Sequence, residues 1–197
     1  NPEIPEERTA QMSKKQMRIN PLPDKPGFAA WFDGTIRITD PSYVTSRFPG
    51  VRPLDDLTVT IKEDGLWEIT TTLMDRAPDQ RTGSLVMRRV AANPKPEDTE
   101  VVLLGKAGVD TGYAAIVAEK FGRIDNWTEY YDRLSSIHLE AGQIAHLDGT
   151  LVVTSGIGDG NFSVYGTRHR QTGELVRVTV DFTPSQDEWE TVYGGAR

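Results

Sequence analysis

The sequence predicts a mainly β fold of the β-rich α+β kind, an antiparallel sandwich or strongly twisted sheet with one helix near 127–140. Three observations carry that expectation. Many short segments alternate apolar and polar side chains, the period of a half-buried strand. Glycine and proline are frequent, 18 and 12 in 197 residues, and they fall between those segments as turn formers would. Only one segment spaces its apolar residues as a helix does.

Residues 1–27, NPEIPEERTAQMSKKQMRINPLPDKPG, are polar and proline-rich, a composition that supplies no core. They are expected to form an extended N-terminal arm that docks on its own domain or on a neighbouring subunit. Residues 28–197 are expected to form a single β-rich domain. FAAWF, Asp33-Gly34 and TIRITD read as a hairpin, because Asp-Gly accepts the positive φ angles of a tight turn. DLTVTIKE, Asp64-Gly65 and LWEITTTLMD repeat that pattern. TGSLVMRRVAA reads as a further strand, NPKPEDTE as a loop and EVVLLGKAGV as a buried strand. HLDGTLVVTSG, NFSVYGTRHR and ELVRVTVDF complete the series, with Gln171-Thr172-Gly173 as the hairpin loop between the last two. No whole unit repeats at a fixed period, which excludes propellers and solenoids.

The helix is read from DNWTEYYDRLSSIHLEAG. Trp127, Tyr130, Tyr131, Leu134 and Ile137 fall at helical spacing. Asn126 stands at the N-cap with Glu129 three residues on, as in a capping box, and Gly142 is placed to close the far end. The apolar stripe is expected to face the sheet, with Glu129 and Arg133 outward.

Composition narrows the function classes. A net charge of −7, spread along the chain, argues against nonspecific nucleic-acid binding, which draws on basic patches. The chain has no cysteine, which removes disulfides, thiolate catalysis and cysteine-based zinc sites. That fits a cytoplasmic or virion protein. No apolar run approaches the roughly 20 residues that span a bilayer, so no membrane partner is expected. The first residues lack the apolar stretch of a signal peptide, and the start at Asn1 points to a cut or partial beginning.

Two stretches invite chemistry. TSGIGDGNFSVYG follows the strand LVVT, and Gly156, Gly158 and Gly160 resemble part of a dinucleotide fingerprint. That fingerprint must open a helix, whereas NFSVYG alternates like a strand. No Gly-Lys-Ser/Thr follows, as a phosphate-binding loop would need, and calcium-binding glycine–aspartate repeats are absent. No cofactor is therefore expected. The loop reads as a glycine-rich hairpin or bulge, in which at least one of Gly156, Gly158 and Gly160 is expected to take positive φ and Asp159 to cap its own turn. The second stretch, KAGVDTGYAA, carries the Asp-Thr-Gly of aspartic protease turns, where two aspartates share a proton. A second Asp-Thr-Gly is missing; a homodimer or Asp159 would have to supply the partner of Asp110. His138, His146 and His169 show no ligand spacing; His138 is expected to pack or cap and the others to be solvated. No metal site is expected. Trp31, Trp67, Trp127 and Trp189 are expected in the core or at its rim.

Asp40-Pro41-Ser42-Tyr43, Val109-Asp110-Thr111-Gly112, Tyr130-Tyr131-Asp132, and Ser155-Gly156-Ile157-Gly158-Asp159-Gly160 followed by Val164-Tyr165 form an ordered series. The series resembles a domain-of-unknown-function family of bacteria and their phages. Its members carry Asp-Pro-Cys-Tyr, Val-Asp-Ser-Gly, a Tyr-Asp helix and a Gly-Asp-Gly loop ahead of two closing strands. The resemblance covers about residues 28–183. Ser42 replaces the usual cysteine, which removes thiol chemistry there, and Thr111 replaces serine. The resemblance implies bacterial or phage origin and no particular activity.

The sequence thus points to a non-enzymatic binding or assembly protein, plausibly phage-encoded and a virion component. It would dock on a protein partner or a second copy through residues 1–27. The candidate binding residues are Ser155, Gly156, Gly158, Asp159, Gly160 and Tyr165. The alternative is an aspartic-type hydrolase using Asp110 and Asp159.

Overall fold

The computed structural model describes residues 19–23, 26–44, 56–74, 80–118 and 126–185. Its strands are β1 (Asn20–Pro21), β2 (Phe28–Thr39), β3 (Leu57–Leu73), β4 (Thr82–Arg89), β5 (Thr99–Val109) and β6 (Tyr113–Ala118). After the helix α1 (Trp127–Ser135) come β7 (Ile144–Leu147), β8 (Thr150–Thr154), β9 (Gly160–His169) and β10 (Leu175–Asp181). The fold is mainly β, as the alternation predicts. A 10-stranded antiparallel sheet runs in the order β5-β9-β10-β4-β3-β2-β6-β8-β7, with β1 paired to β2.

The sheet curls on itself. β5 and β6 are far apart in the strand order, yet only residues 110–112 join them. β5 also lies against β2 and β3, close enough that a Cβ on Gly105 would stand 2.7 Å from Leu57 Cδ1. No ladder among the described residues joins the two edge strands, β5 and β7, so the curl is not closed into a barrel.

The concave side holds the main core, with Phe32, Trp67, Ile69, Met87, Val164 and Phe182 at most 1% exposed. Phe162 meets Phe182 edge-on at 5.1 Å between ring centroids. Burial of each such side chain contributes about 1.5–3 kcal/mol. A second cluster lies on the opposite face of β6 and β8, where Tyr130 and Leu134 of α1 cover Ala115, Val117 and Val152. That is why Ala114–Ala118 are all buried although their strand alternates its faces.

Several expectations are corrected. The Asp33-Gly34 and Asp64-Gly65 pairs are not hairpin turns; each lies inside a continuous strand. FAAWF pairs with LWEI, and TIRI with LTVTI, so two predicted hairpins become one long ribbon. The register passes from Phe32↔Gly65 to Gly34↔Ile61, a bulge in which Gly34 takes φ +77°. Asp-Gly permits positive φ, but the long-range register decides whether the chain reverses there. The tight turn forms instead at Asp148-Gly149, with φ +45° and +82°, joining β7 to β8. EVVLLGKAGV is an edge strand whose outer half exposes Val101 and Leu103, not a buried one.

The helix starts where predicted, since Asn126 Oδ1 accepts from the Glu129 N–H. It ends at Ser135 rather than near 140. Ser136 N–H closes on Asp132 and Arg133 carbonyls, and Ile137 and Leu139 then turn toward the second cluster. Tyr131 is exposed, not inward, whereas Glu129 and Arg133 do face solvent. The Trp127 side chain and Trp189 lie outside the described residues; Trp67 is core and Trp31 is half-buried. Gly142, with φ +81°, belongs to the turn before β7.

Within the predicted arm, Asn20 and Pro21 pair with Ala29 and Phe28, and Ile19 packs on the main core. Residues 1–18 lie outside the described residues. No helix of the described residues is long and apolar enough to cross a membrane.

Candidate functional site

Three chain connections meet at one end of the sheet. One is the 3-10 turn Pro41–Tyr43 leaving β2. The others are loop 110–112 between β5 and β6, and loop 155–159 between β8 and β9. The glycine loop is therefore not a hairpin. β8 pairs with β6 and β7, whereas β9 pairs with β5 and β10, so the loop carries the chain between separate parts of the sheet.

Asp40 ties these connections together. It is 0% exposed. Its Oδ1 accepts from Ser42 N–H at 2.8 Å and Ser42 hydroxyl at 2.5 Å. Its Oδ2 accepts from Asp110 N–H, Thr111 N–H and Thr111 hydroxyl, each at 2.8 Å. A buried carboxylate needs such donors to offset its lost hydration. The first pair is the N-cap geometry of a turn whose φ Pro41 presets. The other three clamp the Asp-Thr-Gly loop from outside.

The contact is reciprocal. Tyr43 hydroxyl donates to Asp110 Oδ2. Behind it, Tyr130 hydroxyl donates to Pro41 carbonyl at 3.2 Å, which links α1 to the same turn. Burial of Tyr130 pushes its pKa up to about 12, helped by the negative charges of Asp148 and Asp40. The Asp40–Tyr43 motif thus touches members of two others, Val109–Gly112 and Tyr130–Asp132.

The glycine loop joins from the other side. Ser155 is buried; its N–H donates to Gly112 carbonyl at 2.9 Å and its hydroxyl to Gly158 carbonyl at 2.5 Å. Arg81 donates to Gly156 carbonyl at 3.2 Å. Gly156 has φ +75°, and a Cβ there would stand 2.7 Å from Thr82 carbonyl and 2.8 Å from Met74 Cε. Gly158 has φ +111° but faces open space, and Gly160 does not adopt a positive φ. The prediction that at least one of these glycines needs positive φ therefore holds at two of them.

The last registered pair of the β5–β9 ladder is Val109↔Gly160. Asp110 follows it on one strand and Asp159 precedes it on the other, so the two aspartates leave the sheet at the same end. No hydrogen bond joins their carboxylates. Asp159 is exposed and lines an open cleft of about 460 Å³ with Lys106, Asn161, Ser163, Tyr165 and Asp181. Of the predicted binding residues, Asp159, Gly160 and Tyr165 reach this cleft. Ser155, Gly156 and Gly158 form the loop framework beside it.

Sequence reasoning missed Asp40 as the central member, together with Lys106, Asn161, Ser163 and Asp181. The outward alternation of NFSVY could have marked Asn161 and Ser163 as companions of Tyr165.

The histidines lie apart from this end or serve turns. His146 Nε2 accepts from Gly149 N–H at 3.2 Å, and desolvation lowers its pKa below the usual imidazole range. His169 is half-buried rather than solvated and accepts from Gln171 N–H, while His138 is exposed rather than packed. No group of three or more His, Asp or Glu among the described residues is arranged to hold a metal ion. Comparison of the chain with protein-family models, curated proteins and solved structures found no match to any of them.

Proposed function

We propose that this chain is a non-enzymatic binding protein that holds a small polar ligand in the cleft beside the glycine loop. One observation supports this reading above the rest: the aspartates at this end divide by use. Asp40 and Asp110 are engaged in hydrogen bonds that join loops, whereas Asp159 faces the cleft without a partner among the described residues. An aspartic-type hydrolase would need Asp110 and Asp159 to share a proton. Asp110 instead accepts from Tyr43, which favours a structural role. The same reading keeps the segment before Ile19 as the docking arm, toward a protein partner or another copy, as in a phage-encoded virion component.

Two measurements test the proposal. Wild type, Asp110→Asn and Asp159→Asn proteins are assayed against peptide and ester substrates, and are screened for thermal shifts with small polar ligands. The expected result is no hydrolysis above the variants, and a ligand-induced shift that Asp159→Asn reduces. Hydrolysis by wild type that both substitutions abolish would favour the enzyme instead. Light scattering of a protein lacking residues 1–18 tests the arm; unchanged association would remove that part of the proposal.

A further inference from the structure

We infer that the cleft takes a neutral carbohydrate, a pyranose or its glycoside, an inference that rests on the binding reading above and names its ligand class. Lys106, Ser163 and Asp181 are registered partners on the three adjacent strands β5, β9 and β10. Neighbouring strands lie about 4.8 Å apart, so the backbones bearing the ammonium and carboxylate groups flank the serine across about 10 Å. Along β9, Asn161, Ser163 and Tyr165 alternate outward while Phe162 and Val164 enter the core. Asp159 stands at the mouth of the glycine loop.

The polar side chains of this patch are largely left without internal partners among the described residues. Lys106, Asp159, Asn161, Ser163 and Tyr165 make no side-chain hydrogen bond or ion pair among the described residues. Asp181 gives one oxygen to Thr183 N–H at 2.9 Å, leaving the other toward the cleft. Elsewhere Arg37, Arg88, Arg89, Arg133 and Arg168 each have a carboxylate partner.

The set interleaves donors and acceptors within a short span. Ammonium and amide groups donate, carboxylates accept, and hydroxyls do both. A sugar hydroxyl also donates and accepts at once, so adjacent hydroxyls meet complementary groups on such a surface. The half-buried Tyr165 ring adds apolar area for the C–H face of a pyranose. An inorganic anion would meet Asp159 and Asp181, and a simple cation would meet Lys106. The volume lies within the range of about 300–1,000 Å³ usual for small-ligand sites.

The test is an amide NMR titration of the full chain with the methyl glycosides of glucose, galactose, mannose and N-acetylglucosamine. Inorganic phosphate and free lysine serve as charged probes. At least one glycoside should shift the amides of residues 159–165 and 181, and phosphate should not. Asp181→Asn, which keeps the Thr183 bond, and Tyr165→Leu should each weaken that binding at least tenfold in proteins whose spectra remain folded. Shifts at these residues from lysine or phosphate, with none from the glycosides, would leave the binding cleft standing and overturn the carbohydrate. No shift there from any probe would overturn both.

Discussion

Asp40 and Asp159 sit at the same end of the molecule and have opposite surroundings. Asp40 is 0% exposed and accepts from five donors on three residues. Asp159 is exposed and accepts from none among the described residues. The difference teaches that an acidic residue's task is set by the donors that converge on it. Donors from two separate connections make Asp40 a fastener. Their absence among the described residues leaves the Asp159 carboxylate exposed to solvent.

The largest effect should come from removing the fastener. Asp40→Ala leaves the Ser42, Asp110 and Thr111 amides and two hydroxyls without their acceptor, and should cost about 3 kcal/mol or more. Asp40→Asn, which keeps the shape but loses acceptor capacity, should fall between. Urea midpoints measure both. A loss under about 1 kcal/mol would mean that water replaces the carboxylate, and the contrast with Asp159 would dissolve.

Next come the glycines between the two sites. Gly156→Ala combines a disfavoured φ with a clash against Thr82 carbonyl, and should cost about 2–4 kcal/mol. Gly158→Ala shares the φ penalty without the clash and should cost about 1 kcal/mol. Equal losses would show that loop 155–159 relaxes as a unit.

Tyr130→Phe should cost about 1 kcal/mol through the hydrogen bond to Pro41. Folded Tyr130 keeps its proton up to about 12, against 10.0 unfolded. Its contribution is therefore full below pH 10 and is lost as pH rises toward 12. The gap between wild type and the phenylalanine variant, read from urea midpoints, should shrink as the pH rises from about 10 toward about 12. A constant gap would place the hydroxyl in contact with solvent.

The smallest effect belongs to Asp159→Asn, expected within about 0.5 kcal/mol of wild type. A larger loss in thermal melts would reveal a hidden fastening role and collapse the comparison from its other side.

What could be read in advance follows the distance over which each feature is determined. The N-cap of α1 was legible because Asn126 and Glu129 are three residues apart and need no distant partner. Strand alternation at ELVRVTVDF was legible for the same reason, and so was positive φ in the glycine loop. Asp33-Gly34 and Asp64-Gly65 misled because the choice between turn and bulge lies in the pairing of β2 with β3. Asp40 stands in the Asp-Pro-Ser-Tyr motif with no local feature to mark it as a fastener. Its role depends on residues 110 and 111, seventy positions on, which no local pattern announces. Tyr131 shows the remaining limit: helical spacing placed it on the inner stripe, but among the described side chains of α1 only Tyr130 and Leu134 meet the strands beneath.

The place of β10 has a consequence for how the chain acquires its structure. Among the described residues, 175–181 alone connect the β5–β9 pair to the ladder that begins at β4 in the strand order. A nascent chain that has emerged only as far as residue 174 can form two separate sheets, with β9 and β4 left as open edges. Such edges are templates for pairing with other chains. Joining them requires Val180 to find Leu85 and Val164 at once, a high-contact-order step that slows folding. Completion of the sheet thus waits until residues 175–181 have emerged, and chains that stop short of them are the forms most exposed to aggregation.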